Sequence, residues 1–269
     1  MSCFGRCALA VIIPVISVLK VQPVMFPTAL LSTHTGGFEN FTFLDLTGEL
    51  KKITAHHEEL NLIPDCVYTG FLGSSEQIKI IGDYIDEQKA SGAYIFIDPV
   101  MGDDGKLYSS YTNKMREGMS KLAMSADILT PNITEAFFLL DRNYISQPYG
   151  KDFIDNIINS LFEKFHKTGR IVITSVVLNG GDYGVVYGER INKKVETGYV
   201  FTKRYGKNYP GSGDIFSSVL CGKILNGEKL EEAVRTAVGF IDKIIEYTID
   251  AETPAREGLI FEKFLESLV

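Results

Sequence analysis

The most constraining feature of this chain is a rhythm. Short runs rich in apolar and β-branched residues alternate with longer amphipathic segments. The strand candidates are "QPVMFPTALL" (22–31), "CVYTGFL" (66–72), "AYIFIDP" (93–99), "ADILTPN" (126–132) and "RIVITSV" (170–176). Helical stretches lie between them at 47–61, 74–91, 112–123, 133–141 and 152–167. In the second of these, Ile78, Ile81 and Ile85 recur at helical spacing, as one buried face requires. Such alternation predicts βαβ units and an α/β fold: a mainly parallel sheet with helices on both faces, a three-layer sandwich.

Beyond residue 180 the rhythm changes. "YGVVYG" (183–188) and "VETGYVFTKR" (195–204) predict adjacent antiparallel strands joined through "ERINKK", followed by helices at 212–226, 229–247 and 257–268. With no linker, repeat or low-complexity tract in the sequence, residues 1–269 read as one domain. The apolar run "CALAVIIPVISVL" (7–19) is interrupted by Pro14 and is too short to span a bilayer, so it is expected to be a buried helix.

An apolar share of 45% and a charged share of 23% are those of a soluble globular protein. The net charge of −7, with Lys and Arg scattered, argues against a nucleic-acid partner held by a basic surface. Cys3, Cys7, Cys66 and Cys221 have neither zinc-ligand spacing nor the density of a disulfide framework, which suits reduced thiols in the cytoplasm. Cys7, close to Gly5, is a candidate for facing substrate.

Open parallel sheets bind ligands beyond the carboxyl ends of their strands. Those ends are polar here: "DPVMGDDG" (98–105), "TPNITEA" (130–136) and "TS" (174–175). Asp98, Asp103 and Asp104 suit either a solvated Asp-Gly turn or a hydrated Mg²⁺ near phosphate. Asn132 and Glu135 have capping-box spacing, or could touch phosphate and metal-bound water. "LSTHTGGF" (31–38) offers Ser32, His34 and Thr35 as the wall of a small heteroaromatic pocket, or as an ordinary polar loop. In "NYPGSGDIFSS" (208–218), Ser212 and Asp214 are either plain first-turn residues or part of an anion-receiving turn with Asp214 as general base.

Taken in order, "GRCALAVIIPVIS", "PTALLSTHTG", "TGFLGS", "DPVMGD", "TPNITEA" and "GSGDIFSS" resemble the pyridoxal kinases, a branch of the ribokinase superfamily, from residue 2 to about residue 247. The resemblance implies ATP-dependent phosphorylation of the 5′-hydroxymethyl group of pyridoxal, pyridoxine or pyridoxamine, with Mg²⁺ and, as a further candidate ion, K⁺. Asp214 then resembles the catalytic base, and Gly211, Ser212 and Gly213 the anion hole. Asp98, Asp103, Asn132 and Glu135 match positions near MgATP, with Asp98, Asp103 and Glu135 as the metal set. Thr174 and Ser175 resemble nucleotide-loop residues. Thr35 and Phe71 match positions lining the vitamin ring, and Tyr108 an aromatic near the site. A cytoplasmic homodimer without membrane contact is the family habit.

Three departures accompany the match. The family opens with a strand just before the glycine turn, and here Met1 falls inside that motif, so this first strand is expected to be missing. Pro210 stands where many relatives carry Thr, and Phe71 where many carry Tyr. Two other readings are a hydroxymethylpyrimidine (phosphate) kinase, whose members commonly carry Cys at the Asp214 position, and a silent paralogue that binds vitamer or nucleotide without turnover.

Overall fold

The computed structural model describes all residues, 1–269. In chain order come α1 (Leu9–Val18), β1 (Ala29–Leu31), β2 (Phe43–Asp45), α2 (Thr47–Glu59), β3 (Cys66–Thr69), α3 (Ser75–Ala90) and β4 (Tyr94–Ile97). Next are β5 (Gly102–Asp103), β6 (Lys106–Leu107), α4 (Asn113–Leu122), β7 (Ile128–Leu129), α5 (Ile133–Leu139) and α6 (Lys151–Lys164). The last are β8 (Arg170–Val177), β9 (Tyr183–Ile191), β10 (Lys194–Thr202), α7 (Ser212–Leu225) and α8 (Leu230–Asp250). Contacts gather the chain into two compact units, Gly48–Phe201 and Met1–Thr47 with Thr202–Val269. No helix is long and apolar enough to cross a membrane.

The unit Gly48–Phe201 is built on a six-stranded sheet in the order β10-β9-β8-β7-β4-β3. β3, β4, β7 and β8 run parallel, and β9 returns antiparallel to β8. Parallel strands are buried on both faces, so their sequences are nearly continuous apolar runs. Accordingly Ile95, Phe96, Ile97, Ile128, Leu129, Ile171, Val172 and Ile173 are all fully buried. Helix α3 starts where Ser74 Oγ accepts the Gln77 N–H. It buries the expected Ile78, Ile81 and Ile85, each contributing about 1.5–3 kcal/mol of transfer free energy.

The connection between β9 and β10 is tighter than "ERINKK" suggested. Only Asn192 and Lys193 turn, both at positive φ (49° and 68°), as a two-residue hairpin demands when it follows the right-handed strand twist. A second hairpin, β5–β6, forms where the sequence predicts only a turn. Asp104 and Gly105 close it at φ 47° and 74°, and a Cβ on Gly102 would lie 2.1 Å from the Lys106 carbonyl oxygen across it.

In the other unit, α1 lies against α7, and α7 against α8. Gly222 permits the approach of α1 and α7, since a Cβ there would come within 2.5 Å of Leu19 Cδ1. Val11, Val15, Val219, Leu220, Ala233 and Ala237 fill the resulting core. β1 and β2 form an antiparallel pair, and Ser2 bridges in parallel to Leu31. Two expectations shorten here. Pro23 and Pro27 remove ladder donors from 22–31, and only Ala29–Leu31 becomes strand. The helix expected at 257–268 is two 3₁₀ turns, Ala255–Glu257 and Glu262–Leu268, separated after Gly258 at φ 79°.

Candidate active site

In the unit formed by Met1–Thr47 and Thr202–Val269, the glycine turn before α7 is shaped by backbone contact. Gly211 caps the helix at φ 84°, and a Cβ there would sit 2.0 Å from the Arg6 carbonyl oxygen. No side chain caps this terminus. Ser212 N–H bonds to the Tyr209 carbonyl at 3.2 Å, whereas the Gly213 and Asp214 N–H groups belong to the first turn, where no intrahelical acceptor exists.

The Asp214 carboxylate is not a helix cap either. Its Oδ2 accepts the Ala8 N–H at 2.7 Å and the Cys7 thiol at 3.4 Å. Ala8 reaches it from an unusual conformation, φ 53° and ψ −137°, at the start of α1. Burial raises the Asp214 pKa above the ordinary carboxylate value, and the Ala8 and Cys7 bonds oppose that rise. A carboxylate so raised is a better proton acceptor than a free one.

The "STHTG" loop belongs to the same unit, but its histidine is spent on structure. His34 is buried. Its Nε2 donates to the Arg256 carbonyl at 2.7 Å while Nδ1 accepts the Gly36 N–H at 3.1 Å, an arrangement that assigns the ring proton to Nε2. Its ring backs Gly5, where a Cβ would meet His34 Cδ2 at 2.5 Å, and meets Phe38 edge-on. His34 thus braces the glycine turn, with both ring nitrogens committed to backbone groups. Ser32 Oγ accepts the Thr42 N–H at 2.9 Å, and Thr35 is exposed. Pro210 closes on the same loop, because a Cβ on Gly36 would lie 2.9 Å from Pro210 Cγ.

The unit Gly48–Phe201 carries the remaining predicted residues at its strand ends. Asp98 follows β4 and is buried, its N–H bonded to the Thr69 carbonyl of β3 at 3.0 Å. Asn132 and Glu135 form a complete capping box at the start of α5. Glu135 Oε2 accepts the Asn132 N–H at 2.8 Å and Oε1 the Met101 N–H at 2.9 Å, with the Gly102 N–H a further donor. Asn132 Nδ2 donates to the Gly102 carbonyl at 2.8 Å. Both side chains thus tie the loop after Asp98 to α5. Burial, then the neighbouring Asp98 charge, drives the Glu135 pKa well above its ordinary value.

Asp103 lies exposed on the β5–β6 hairpin, its Oδ1 accepting the Asp104 N–H at 2.9 Å. No three His, Cys, Asp or Glu side chains converge closely enough to hold a metal ion by themselves. Asp98, Asp103 and Glu135 do not by themselves form such a group in the unliganded chain, and both oxygens of Glu135 accept backbone N–H groups. Thr174 and Ser175 occupy an irregularity in β8, between Ile173 and Val176 in the register with β9, and Ser175 stands at φ 60°. Non-glycine residues in that region are sparse and gather at functional sites. Phe71 follows β3 partly exposed, and Tyr108 follows β6 exposed.

Sequence reasoning missed three participants. Ala8 was invisible because nothing in its side chain announces a positive φ. Arg256 enters through its carbonyl, and its guanidinium lies 5.2 Å from the Phe38 ring centre. Tyr111 buries a hydroxyl that has no hydrogen-bond partner, and burial followed by the Glu135 charge raises its pKa.

The mostly parallel sheet with a glycine-turn helix places the molecule in the ribokinase-like α/β class, as solved relatives show. A protein of Bacteroides thetaiotaomicron assigned as a phosphomethylpyrimidine kinase, solved with pyridoxal, superposes with a TM-score of 0.92 at 35% identity, covering 100% of this chain and 92% of that one. Pyridoxal kinase from Lactobacillus plantarum superposes with a TM-score of 0.89 at 26% identity, covering 100% and 93%. The chain belongs to the phosphomethylpyrimidine kinase family, whose profile matches residues 13–257. A Staphylococcus aureus hydroxymethylpyrimidine/phosphomethylpyrimidine kinase is 28% identical over 203 residues. That match takes in 69% of this chain and spans 64% of the length of the curated relative.

Proposed function

We propose that this protein is a kinase that transfers the γ-phosphoryl group of ATP to the hydroxymethyl group of a small heteroaromatic alcohol, pyridoxal or a related B6 vitamer. The observation that carries the reading is the Asp214 carboxylate. It is held on one oxygen, is raised in pKa, and stands in a first turn whose N–H groups lack side-chain caps. Such a turn can receive the transferring phosphoryl group while the carboxylate accepts the proton of the attacking hydroxyl. Gly211, Ser212 and Gly213 supply the turn in this reading, with Gly213 and Asp214 as the available N–H donors. Positioning and electrostatics suffice, because phosphoryl transfer leaves little covalent work to the protein.

The donor set also fits a hydrated Mg²⁺, a hard cation that takes one or two carboxylates and completes its shell with water and phosphate oxygens. Asp98 and Asp103 are the residues proposed to hold it, while Glu135 and Asn132 orient their loop. When bound, the ion would neutralise charge on the phosphoryl oxygens. Thr174 and Ser175 are proposed to contact the nucleotide, and Ser32, Thr35, Phe71 and Tyr108 the acceptor. K⁺ assistance, a homodimer and a cytoplasmic setting complete the reading.

Hydroxymethylpyrimidine is the competing acceptor, favoured by the family profile and the Staphylococcus aureus relative. The pyridoxal held by the Bacteroides relative at 35% identity, together with Asp at position 214, favours the vitamer. Parallel phosphorylation assays with MgATP and each alcohol decide it. The expected result is a higher kcat/KM for pyridoxal, and a marked preference for the pyrimidine would reverse the assignment.

A further inference from the structure

We propose that Cys7 is a positioning residue for Asp214. Its thiol and the Ala8 N–H together hold Oδ2, leaving Oδ1 as the oxygen that takes the substrate proton. The inference rests on the reading of Asp214 as general base and adds a part that the reading does not require.

Three observations converge on Cys7. First, both donors end on the same oxygen, Oδ2, at 3.4 Å from Sγ and 2.7 Å from the Ala8 nitrogen. Two bonds on one oxygen fix the carboxylate's rotation in a way that one does not. Second, the segment carrying Cys7 is immobilised on both sides. The Arg6 carbonyl fits against Gly211 and Gly258, where a Cβ would approach it to 2.0 Å and 2.8 Å. Arg6 N–H also bonds to the Glu257 carbonyl at 3.0 Å, and its Nε to Glu262 at 2.6 Å. On the other side, Ala8 is held at φ 53° and ψ −137°, a conformation that persists only when its surroundings impose it.

Third, the chemistry of the thiol suits a donor and nothing else. Burial, then the adjacent Asp214 charge, raises the Cys7 pKa well above its ordinary value. The thiol proton therefore stays on sulfur, and a thiolate nucleophile beside the carboxylate is disfavoured. Besides Cys7, the titratable groups bearing on Asp214 are His34 and the Met1 amine. His34 is committed to Arg256 and Gly36, so Cys7 is the neighbouring side chain that bonds to the carboxylate.

The test uses the intact chain with Cys7→Ala, Cys7→Ser and Asp214→Asn, assayed for pyridoxal phosphorylation by MgATP across pH. Deleting the thiol donor is expected to lower kcat roughly 5- to 10-fold, the scale of one ordinary hydrogen bond and fitting for a weak S–H donor, with KM for ATP unchanged. The acidic limb of the kcat profile should move to higher pH, because a carboxylate that loses a donor is protonated more easily. Cys7→Ser should restore most of both. An unchanged limb in Cys7→Ala, or a serine variant as impaired as the alanine one, would overturn the proposal.

A second readout needs no turnover. The pH dependence of Cys7 alkylation by iodoacetamide, followed by peptide mass, should shift to lower pH in Asp214→Asn, and an unshifted profile refutes the contact itself. Should Asp214→Asn keep full turnover while the alkylation profile shifts, the base reading fails and the catalytic role of Cys7 falls with it. A dead Asp214→Asn beside an unaltered Cys7→Ala overturns the positioning role alone.

Discussion

Replacing Gly211 by alanine separates backbone geometry from chemistry. At φ 84° a side chain enters the left-handed region, costing about 1–2 kcal/mol. The new Cβ would also lie 2.0 Å from the Arg6 carbonyl oxygen, a backbone atom with no rotamer to yield, and forced overpacking adds about 1–3 kcal/mol. The sum, roughly 2–5 kcal/mol, corresponds to a fall in Tm of about 5–15 °C for a chain of this size. Because Arg6 precedes Cys7 and Ala8, relief of the clash also moves the donors of Asp214, so turnover should fall as well. Gly213→Ala is the matched control. Its Cβ meets nothing within 4 Å, and an alanine in a helix gains up to about 1 kcal/mol over glycine. It should melt at or above the wild-type temperature yet lose turnover, since the methyl group crowds the mouth where phosphate is received. Thermal melts read beside kcat for the two variants make the comparison. A Gly211→Ala protein melting within about 2 °C of wild type, less than 1 kcal/mol on the same scaling, would refute the argument from contact and φ.

Further outcomes can be stated briefly. Tyr111→Phe removes a buried hydroxyl without a partner, so denaturant unfolding should show unchanged or increased stability, and a loss above about 1 kcal/mol would reveal an unseen bond. Glu135→Gln turns one acceptor into a donor facing the N–H of Met101 or Asn132, for an expected loss of about 1–3 kcal/mol. Since the Glu135 carboxyl is raised in the fold, its stabilising contribution is full below its ordinary pKa and is lost as pH rises through the raised one. The wild-type advantage over Glu135→Gln should therefore narrow with rising pH in the same unfolding assay. The raised Asp214 carboxyl places the acidic limb of kcat above about pH 3.9, the ordinary aspartate value, and an Asp214→Asn profile should lack that limb.

Much of the α/β architecture was legible because its signal is local. A run such as "AYIFIDP" is apolar on both faces and is too short for a helix, and Ile78, Ile81 and Ile85 repeat at the helical period. The capping box of Asn132 and Glu135 was also in plain view as a spacing of three. Asp104-Gly105 carries a hairpin signal as well as a turn signal, and both residues adopt the positive φ such a hairpin needs. The prolines at 23 and 27 also mark in the sequence where the first strand is cut short, since neither can donate to a ladder.

The site divides the same way. Sequence alone placed Asp214 behind a glycine turn at a helix start and polar residues at the ends of parallel strands, because chain-local geometry determines both. It could not assign their partners. Cys7 and Asp214 lie 207 positions apart, and His34 and Arg256 lie 222 apart. No periodicity carries information over such separations, and a backbone N–H or carbonyl looks alike in every residue until folding aims it. Tertiary structure alone decided that Ala8 serves Asp214, that His34 is a strut, and that Glu135 spends its oxygens on backbone N–H groups.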